Sequence, residues 1–270
     1  MNTPDSTLSM AAEHQPVATW RDRLYQSYVS SGQAAETASH SEPFRLRDYP
    51  YLCQRIPPQL PESRSARILD LGCGHGGLLY CLKEWGYKNV AGVDVSEQQV
   101  SLAHQKGLSE VARGDLYRFL DEQTAPANVI FLMDVIEHLN REEMFKLLDS
   151  VHRSLSPDGK LILHLPNASG IFGMSVRYGD ITHEQAYAAR GIEQCLSVCG
   201  FENITIYEDK PVVYGVKSLV RRVVWNALTA PVRLLYAAES GHFPVALSQN
   251  VLVTAEAKHA SDLNLCLRAA

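Results

Sequence analysis

Apolar positions follow two rhythms along the chain. Near the start, Val17, Trp20, Leu24 and Tyr28 recur at helical spacing, and Gly32 closes the run. A short helix is expected near 43–56, interrupted by Pro50, and "IPPQLPES" reads as a linker. From residue 66 short apolar runs alternate with helical stretches. "ARILDLG" reads as a buried strand ending in glycine, and 76–86 as a helix. "NVAGVDV" (89–95), "EVARGDL" (110–116), "ANVIFLMDV" (127–135) and "KLILHLPN" (160–167) are further strands. Ser96 and Gln99 have the spacing of a capping box. A helix from about 141 to 155 stops at "SPDG", a turn signature. Beyond 184 another helix ends at "CGF", and strands at 202–209 and 250–259 flank a long insertion. This alternation predicts a parallel doubly wound sheet with ligands at the carboxyl ends of its strands.

The insertion carries its own stripe: Val216, Leu219, Val220, Val223, Val224, Ala227 and Leu228, with Lys217, Arg221 and Arg222 on the other side. Pro231 is expected to start a second helix. Two readings stay open, a lid or dimer element packing its stripe on the domain, and a weak membrane-surface contact through 216–236. The aromatic residues Trp20, Tyr25 and Tyr28 are expected to cover a ligand pocket as a lid.

Composition narrows the class. The 270 residues are 46% hydrophobic and 20% charged, ordinary values for a soluble globular protein, and the net charge of −5 argues against a nucleic-acid partner. Residues 1–15 are polar, with disorder expected, and show neither the basic start nor the apolar core of a leader. A cytoplasmic address follows, at most peripheral to the inner face of a membrane. The six cysteines form no C-x-x-C pair and read as reduced thiols.

The chemistry centres on "ILDLGCGHGGLLYCLKEWG" (68–86). Its glycines satisfy G-x-G-x-x-G, and Asp94 follows about 20 positions on, as in dinucleotide-binding loops. Asp70 opposes that reading, because a carboxylate beside a diphosphate is repulsive. The same carboxylate attracts the ammonium group of S-adenosylmethionine, which carries a positive sulfonium and no phosphate. Asp94 can accept from ribose hydroxyls, Asp115 can accept from the adenine amino group, and Asp134 lies where methyl group and acceptor must meet. One carboxylate at each of four strand ends favours the methyl donor over NAD.

"ILDLGCGHG", "GVDVS", "RGDL", "DVIEHL" and "LSPDGKLILHLPN" together resemble the ordered motifs of class I S-adenosylmethionine-dependent methyltransferases, over residues 65–167. The resemblance implies a Rossmann-like seven-stranded sheet whose last strand is antiparallel. A helical cap would precede it in 1–60, the domain would span 61–260 with a helical insertion at 214–247, and 261–270 would be a tail. It also implies cofactor contacts at Asp70, Gly72, Cys73, Gly74, Asp94, Val95, Asp115, Leu116, Met133 and Asp134. The N/D-P-P-Y/F and Pro-Cys signatures of nucleic-acid methyltransferases are missing. "DVIEHL" with "HLPN" is similar to small-molecule enzymes, including those of ubiquinone-type biosynthesis, and "RYGDITHEQAYAARGIEQCLSVCGF" resembles glycan methyltransferases.

A small-molecule or glycan hydroxyl is the expected acceptor. N- or C-methylation of another metabolite and a non-catalytic cofactor-binding protein are the alternatives. His138 and His183 are the candidate general bases. Thr182 and Gln185 have the spacing of a capping box around His183, and His75 reads as filler in the glycine loop. His183, Asp180 and His138 are the alternative as a divalent-metal set, but no metal is expected: Asn167 ends the fifth strand, and the next acid is Asp180.

Overall fold

The computed structural model describes residues 19–26 and 44–258. Val17, Tyr28, Gly32, residues 1–15 and the 261–270 tail therefore lie outside the described residues. Seven strands form one sheet: β1 (Arg67–Leu71), β2 (Asn89–Asp94), β3 (Val111–Arg113), β4 (Ala127–Met133), β5 (Leu155–Pro166), β6 (Phe201–Glu208) and β7 (Asn250–Ala257). Their order is β3-β2-β1-β4-β5-β7-β6. The contacts among β1 to β5 are parallel, and β7 runs antiparallel to both β5 and β6.

The unbroken apolar runs of β1 and β4 reflect burial on both faces. Leu69, Leu71, Ile130 and Leu132 point into one core, and Ile68, Val129 and Phe131 into the other. The helices are α1 (Trp20–Gln26), α2 (Pro50–Arg55), α3 (Gly77–Glu84), α4 (Glu97–Gln105), α5 (Leu116–Asp121), α6 (Arg141–Ser154), α7 (Gly173–Arg177), α8 (Ala189–Val198) and α9 (Val216–Ser240). The Asn140 side chain accepts from the Glu143 amide while the Glu143 carboxylate accepts from the Asn140 amide. Such a cap is worth about 1 kcal/mol.

Several local expectations change. Pro50 opens α2 instead of interrupting a helix, since the first helical position needs no N–H partner. Ser96 caps α4 through the Gln99 amide, but the Gln99 side chain makes no return bond and its Oε1 is buried without a partner. The helix does stop before "SPDG", but this stretch lies inside β5 instead of forming a turn ahead of it. Ala127 pairs with Leu155 and Val129 with Lys160, so the intervening residues bulge out, with Asp158 at φ +60°. Thr182 and Gln185 cap nothing, because α8 begins only at Ala189.

Pro231 starts no second helix, and α9 runs straight through it. Proline costs the carbonyl of Ala227 its helical donor, which is tolerable because both residues are exposed and water can serve. The orientation of α9 overturns the packed-stripe reading. Ser218, Trp225 and Thr229 face the domain, Arg222 donates to the Pro211 carbonyl, and Arg233 pairs with Glu208 at 2.5 Å. Val216, Leu219, Val220, Val223, Val224 and Leu228 are exposed.

Candidate active site

Strand ends and the loops after them build three adjoining cavities. The first, of about 340 Å³, is lined by Gly72, Gly74, Asp94, Val95, Gln99, Asp115, Leu116, Asp134 and His138, among others. The second, also about 340 Å³, is lined by Asp70, Gly72, Cys73, Gly74, His75, Met133, Asp134 and His164, with Tyr49 and Tyr51. Gly72, Gly74 and Asp134 belong to both. All ten residues expected at the cofactor line one cavity or the other.

The glycine loop is shaped by backbone need. Gly72 stands at φ +74°, and a Cβ there would lie 2.6 Å from Val135 Cγ2. Asp94 holds the loop from the next strand: its Oδ2 accepts from the Gly74 amide and its Oδ1 from the Ser96 amide, both at 2.8 Å. Further lone pairs on these oxygens face the first cavity and suit ribose hydroxyls. Asp115 caps α5, one oxygen accepting from the amides of Tyr117 and Arg118 at 3.0 and 3.1 Å.

Asp70 is buried with Oδ1 lacking any hydrogen-bond partner. Burial, with Asp94 nearby, pushes its carboxyl up to about 7. An orphaned carboxylate oxygen beside the second cavity fits an ammonium group, and the orphaned Gln99 Oε1 beside the first fits an amine or hydroxyl donor. The two cavities thus suit the two halves of S-adenosylmethionine.

α1 reaches the first cavity by a side chain the aromatic pattern did not flag. Arg21 pairs with Glu143 at 2.8 Å, pairs with Glu184, and donates to the His138 carbonyl at 3.2 Å. Trp20 is half exposed, and the roles expected of Tyr25 and Tyr28 fall on side chains outside the description. His75 is more than filler: its ring stacks on Phe44 at 5.6 Å and meets the Tyr49 hydroxyl at 3.3 Å.

Beyond Asp134 a buried histidine links two carboxylates. Asp134 sits at φ +56°, a left-handed conformation that costs a non-glycine residue about 1 kcal/mol or more. Its Oδ1 meets His164 Nδ1 at 2.6 Å, and His164 Nε2 meets Asp209 Oδ2 at 2.7 Å. Tyr51 donates to both Asp209 oxygens at 2.9 Å. Burial alone would lower the His164 pKa, but the two carboxylates outweigh it and hold it well above the ordinary histidine value. Two flanking carboxylates thus favour the protonated form of the ring. Packing pushes Asp134 up, but His164 outweighs that and pulls it below the usual carboxylate range. Sequence reading missed His164, Asp209 and Tyr51.

Tyr51 and His164 also line a third cavity of about 550 Å³, walled by Phe172, Tyr214, Trp225, Arg221 and Asn250. Trp225 Nε1 and Asn250 Oδ1 are buried without partners.

His138 ends a 3-10 turn, Ile136–His138, that follows Asp134. The loop carrying His183 is tied to this turn, because the Glu137 carbonyl accepts from the amides of Glu184 and Gln185 at 2.7 and 3.1 Å. The His138 and His183 rings meet edge to face at 4.7 Å. Burial, and then His183, pushes His138 down to about 4, so it is neutral at physiological pH. Thr182 donates to Asp180 at 2.6 Å and lies 2.9 Å from His138 Nδ1. Glu137 is buried, its Oε2 has no partner, and burial beside Asp134 pushes its carboxyl well above the ordinary range. His183 lines none of the three cavities.

A doubly wound sheet with an acidic series at its strand ends and a positive-φ glycine loop defines a Rossmann-like methyltransferase fold. A family model described as a methyltransferase domain matches residues 44–206, and the chain belongs to this family, the class I S-adenosylmethionine-dependent methyltransferases. It is similar to the cyclopropane-fatty-acyl-phospholipid synthase of Escherichia coli (strain K12), at 31% identity over 100 residues, 36% of this chain and 25% of that one. It is also similar to the ajmaline N-methyltransferase of Rauvolfia serpentina, at 28% identity over 159 residues, 51% of this chain and 54% of that one. The chain thus spans between a quarter and about half of these curated relatives. Its fold matches a crystallised S-adenosylmethionine-dependent methyltransferase from Archaeoglobus fulgidus with a TM-score of 0.57 at 21% identity, covering 76% of this chain and 93% of that one.

Proposed function

We propose that the protein transfers a methyl group from S-adenosylmethionine to a hydroxyl oxygen of a small-molecule or glycan acceptor. The observation that carries this reading is the third cavity, lined by Tyr51, Phe172, Tyr214 and Trp225, with the Trp225 indole N–H and the Asn250 amide oxygen of its wall buried without partners. Aromatic faces with stray donors and acceptors suit a hydroxyl-rich ring, which offers both apolar C–H surface and hydrogen-bonding groups. When bound, S-adenosylmethionine supplies an electrophilic methyl on a sulfonium leaving group. Asp70 holds its ammonium group, Asp94 its ribose, and Asp115 with Gln99 its adenine side. Tyr51, Asp209 and His164 form a rigid chain that positions the acceptor against Asp134. Activation of the hydroxyl falls to the neighbouring Glu137, His138 and His183.

The test is incubation with methyl-deuterated S-adenosylmethionine and a panel of nucleotide sugars, lipid-linked glycans and phenols, with products read by NMR and mass spectrometry. A deuterated methyl ether supports the reading. Label on nitrogen or carbon alone refutes it.

The outward stripe of α9 favours a second element, that the enzyme works at an anionic membrane surface. Lys217 and Arg221 are exposed beside the stripe, and Arg221 and Trp225 of the same helix line the third cavity. No described helix is long and apolar enough to cross a bilayer, so contact would be interfacial and salt-sensitive. Flotation with anionic vesicles at low salt tests it, and a protein that stays at the bottom of the gradient ends it.

A further inference from the structure

Glu137, His138 and His183 each bring a ligand-type atom within 4.8 Å of the other two. The hydrogen bonds around them decide which atoms those side chains can offer. A threonine hydroxyl has one proton, and Thr182 spends it on Asp180 at 2.6 Å. At 2.9 Å from that oxygen, His138 Nδ1 must then be the donor. His183 Nδ1 lies 3.0 Å from the carbonyl of Val176, which can only accept. In its neutral form each ring then carries the proton on Nδ1 and the lone pair on Nε2. Metal-bound histidines are oriented in this way, with the remote ring N–H given to a carbonyl or, here through a hydroxyl, to a carboxylate.

The third member argues independently. Glu137 is 1% exposed, and its Oε2 has no hydrogen-bond partner. A buried carboxyl oxygen without a partner is costly, and a bound cation would satisfy it as the carboxylate.

We infer that Glu137, His138 and His183 form a binding site for a divalent first-row transition ion, Zn2+ or Mn2+, beside the first cavity, which His138 lines. The donor set of two nitrogens and one oxygen suits these ions better than Mg2+ or Ca2+, which prefer all-oxygen shells. Two histidines and a glutamate with an open position also form one of the catalytic zinc sets. Ligands at about 2.0–2.1 Å on a tetrahedral ion stand roughly 3.4 Å apart, so small side-chain rotations close the site. The sequence pairs both histidines with Asp180 as the metal alternative, but the structure gives Asp180 to Thr182 and brings Glu137 to the histidines instead. Here the acid precedes His138 directly, and the 181–188 loop folds back to deliver His183.

The inference deepens the proposed function by naming what occupies the hydroxyl-activating group, and it rests on that reading only for its catalytic consequence. The untagged 270-residue chain is stripped with a chelator and titrated with Zn2+, Mn2+, Mg2+ and Co2+, by calorimetry and elemental analysis. One equivalent of Zn2+ or Mn2+ per chain is expected, with Co2+ giving visible ligand-field bands. His183→Ala should lower Zn2+ affinity at least ~100-fold, and Thr182→Val by ~10-fold or more, with circular dichroism unchanged. If His183→Ala misfolds, Thr182→Val and His183→Asn carry the test. No stoichiometric uptake, binding of Mg2+ alone, or equal binding by the folded variants would overturn the site. Uptake with a product that is not an ether would sink the O-methyl reading and leave the site standing. Etherification by ion-free protein would leave that reading intact and remove the ion's catalytic role.

Discussion

The cofactor end of the cleft is lined mainly by residues at the ends of β1, β2, β3 and β4. The acceptor end gathers Tyr51 from α2, His164 from β5, Asp209 after β6, Trp225 from α9 and Asn250 from β7. One end is a product of local chain geometry, because a glycine turn, an Asx cap and a carboxylate at a strand end each need only a few neighbouring residues. The other exists only when distant segments have docked. The first therefore holds a ligand of fixed shape, while the second can change acceptor by altering loops without disturbing the sheet.

Gly72→Ala should break the cofactor end most severely. A Cβ would meet Val135 at 2.6 Å, and φ is +74°. Strain and overpacking together cost about 2–5 kcal/mol. Thermal unfolding should show a lower midpoint, and calorimetry should show no S-adenosylhomocysteine binding. A variant that melts and binds like the wild type would mean the loop is not the ligand's cradle.

Asp70 gives the comparison a pH signature. Its free-protein pKa of about 7 is raised, and an ammonium group must pull it down, so cofactor binding releases a proton below pH 7. Affinity for S-adenosylhomocysteine should rise by up to about tenfold per pH unit from 5 to 7, then level off. Asp70→Asn should bind more weakly with no such rise. An equally steep rise in the variant would place the titrating group elsewhere.

His164→Ala probes the acceptor end. It leaves Asp209 and Asp134 without their shared hydrogen-bond partner, at a cost of about 2 kcal/mol. That is below the full penalty for a buried pair, since the Asp134 side chain is 55% exposed to the cavities. Turnover should fall while S-adenosylhomocysteine affinity stays within about threefold. A large loss of cofactor affinity would erase the distinction between the two ends.

The same division explains what the sequence made legible. "ILDLG" and "ANVIFLMDV" announce themselves because strands buried on both faces must be continuously apolar, and Gly72 and Ser96 mark ends that depend on a few local residues. His164 sits in "LILHLPN", where a lone polar residue looks like an ordinary strand position. Its partners, Tyr51 and Asp209, are brought to it only by the closed fold. Thr182 reads as a cap by spacing but becomes the link between Asp180 and His138. Periodicity found the stripe on α9 correctly. It could not show which side faced the domain, because that depends on Glu208 receiving Arg233 and on the Pro211 carbonyl receiving Arg222.

That last point sets the smallest stability effect and the sharpest test of α9. In most surface helices an apolar-to-acid change on the apolar stripe is severe, because the stripe is the buried side. Here Val220 and Leu228 are 55% and 67% exposed, so the double change Val220→Glu with Leu228→Glu removes no packing from the isolated chain. Its unfolding midpoint and cofactor affinity should match the wild type, within about 0.5 kcal/mol. Flotation with anionic vesicles should be lost, since two carboxylates would replace apolar surface in an anionic interface. A variant that floats unchanged would show the stripe is not the contact. A variant that melts earlier only at high protein concentration, with wild-type light scattering reporting a dimer, would assign the stripe to a second copy of the chain instead of a lipid surface.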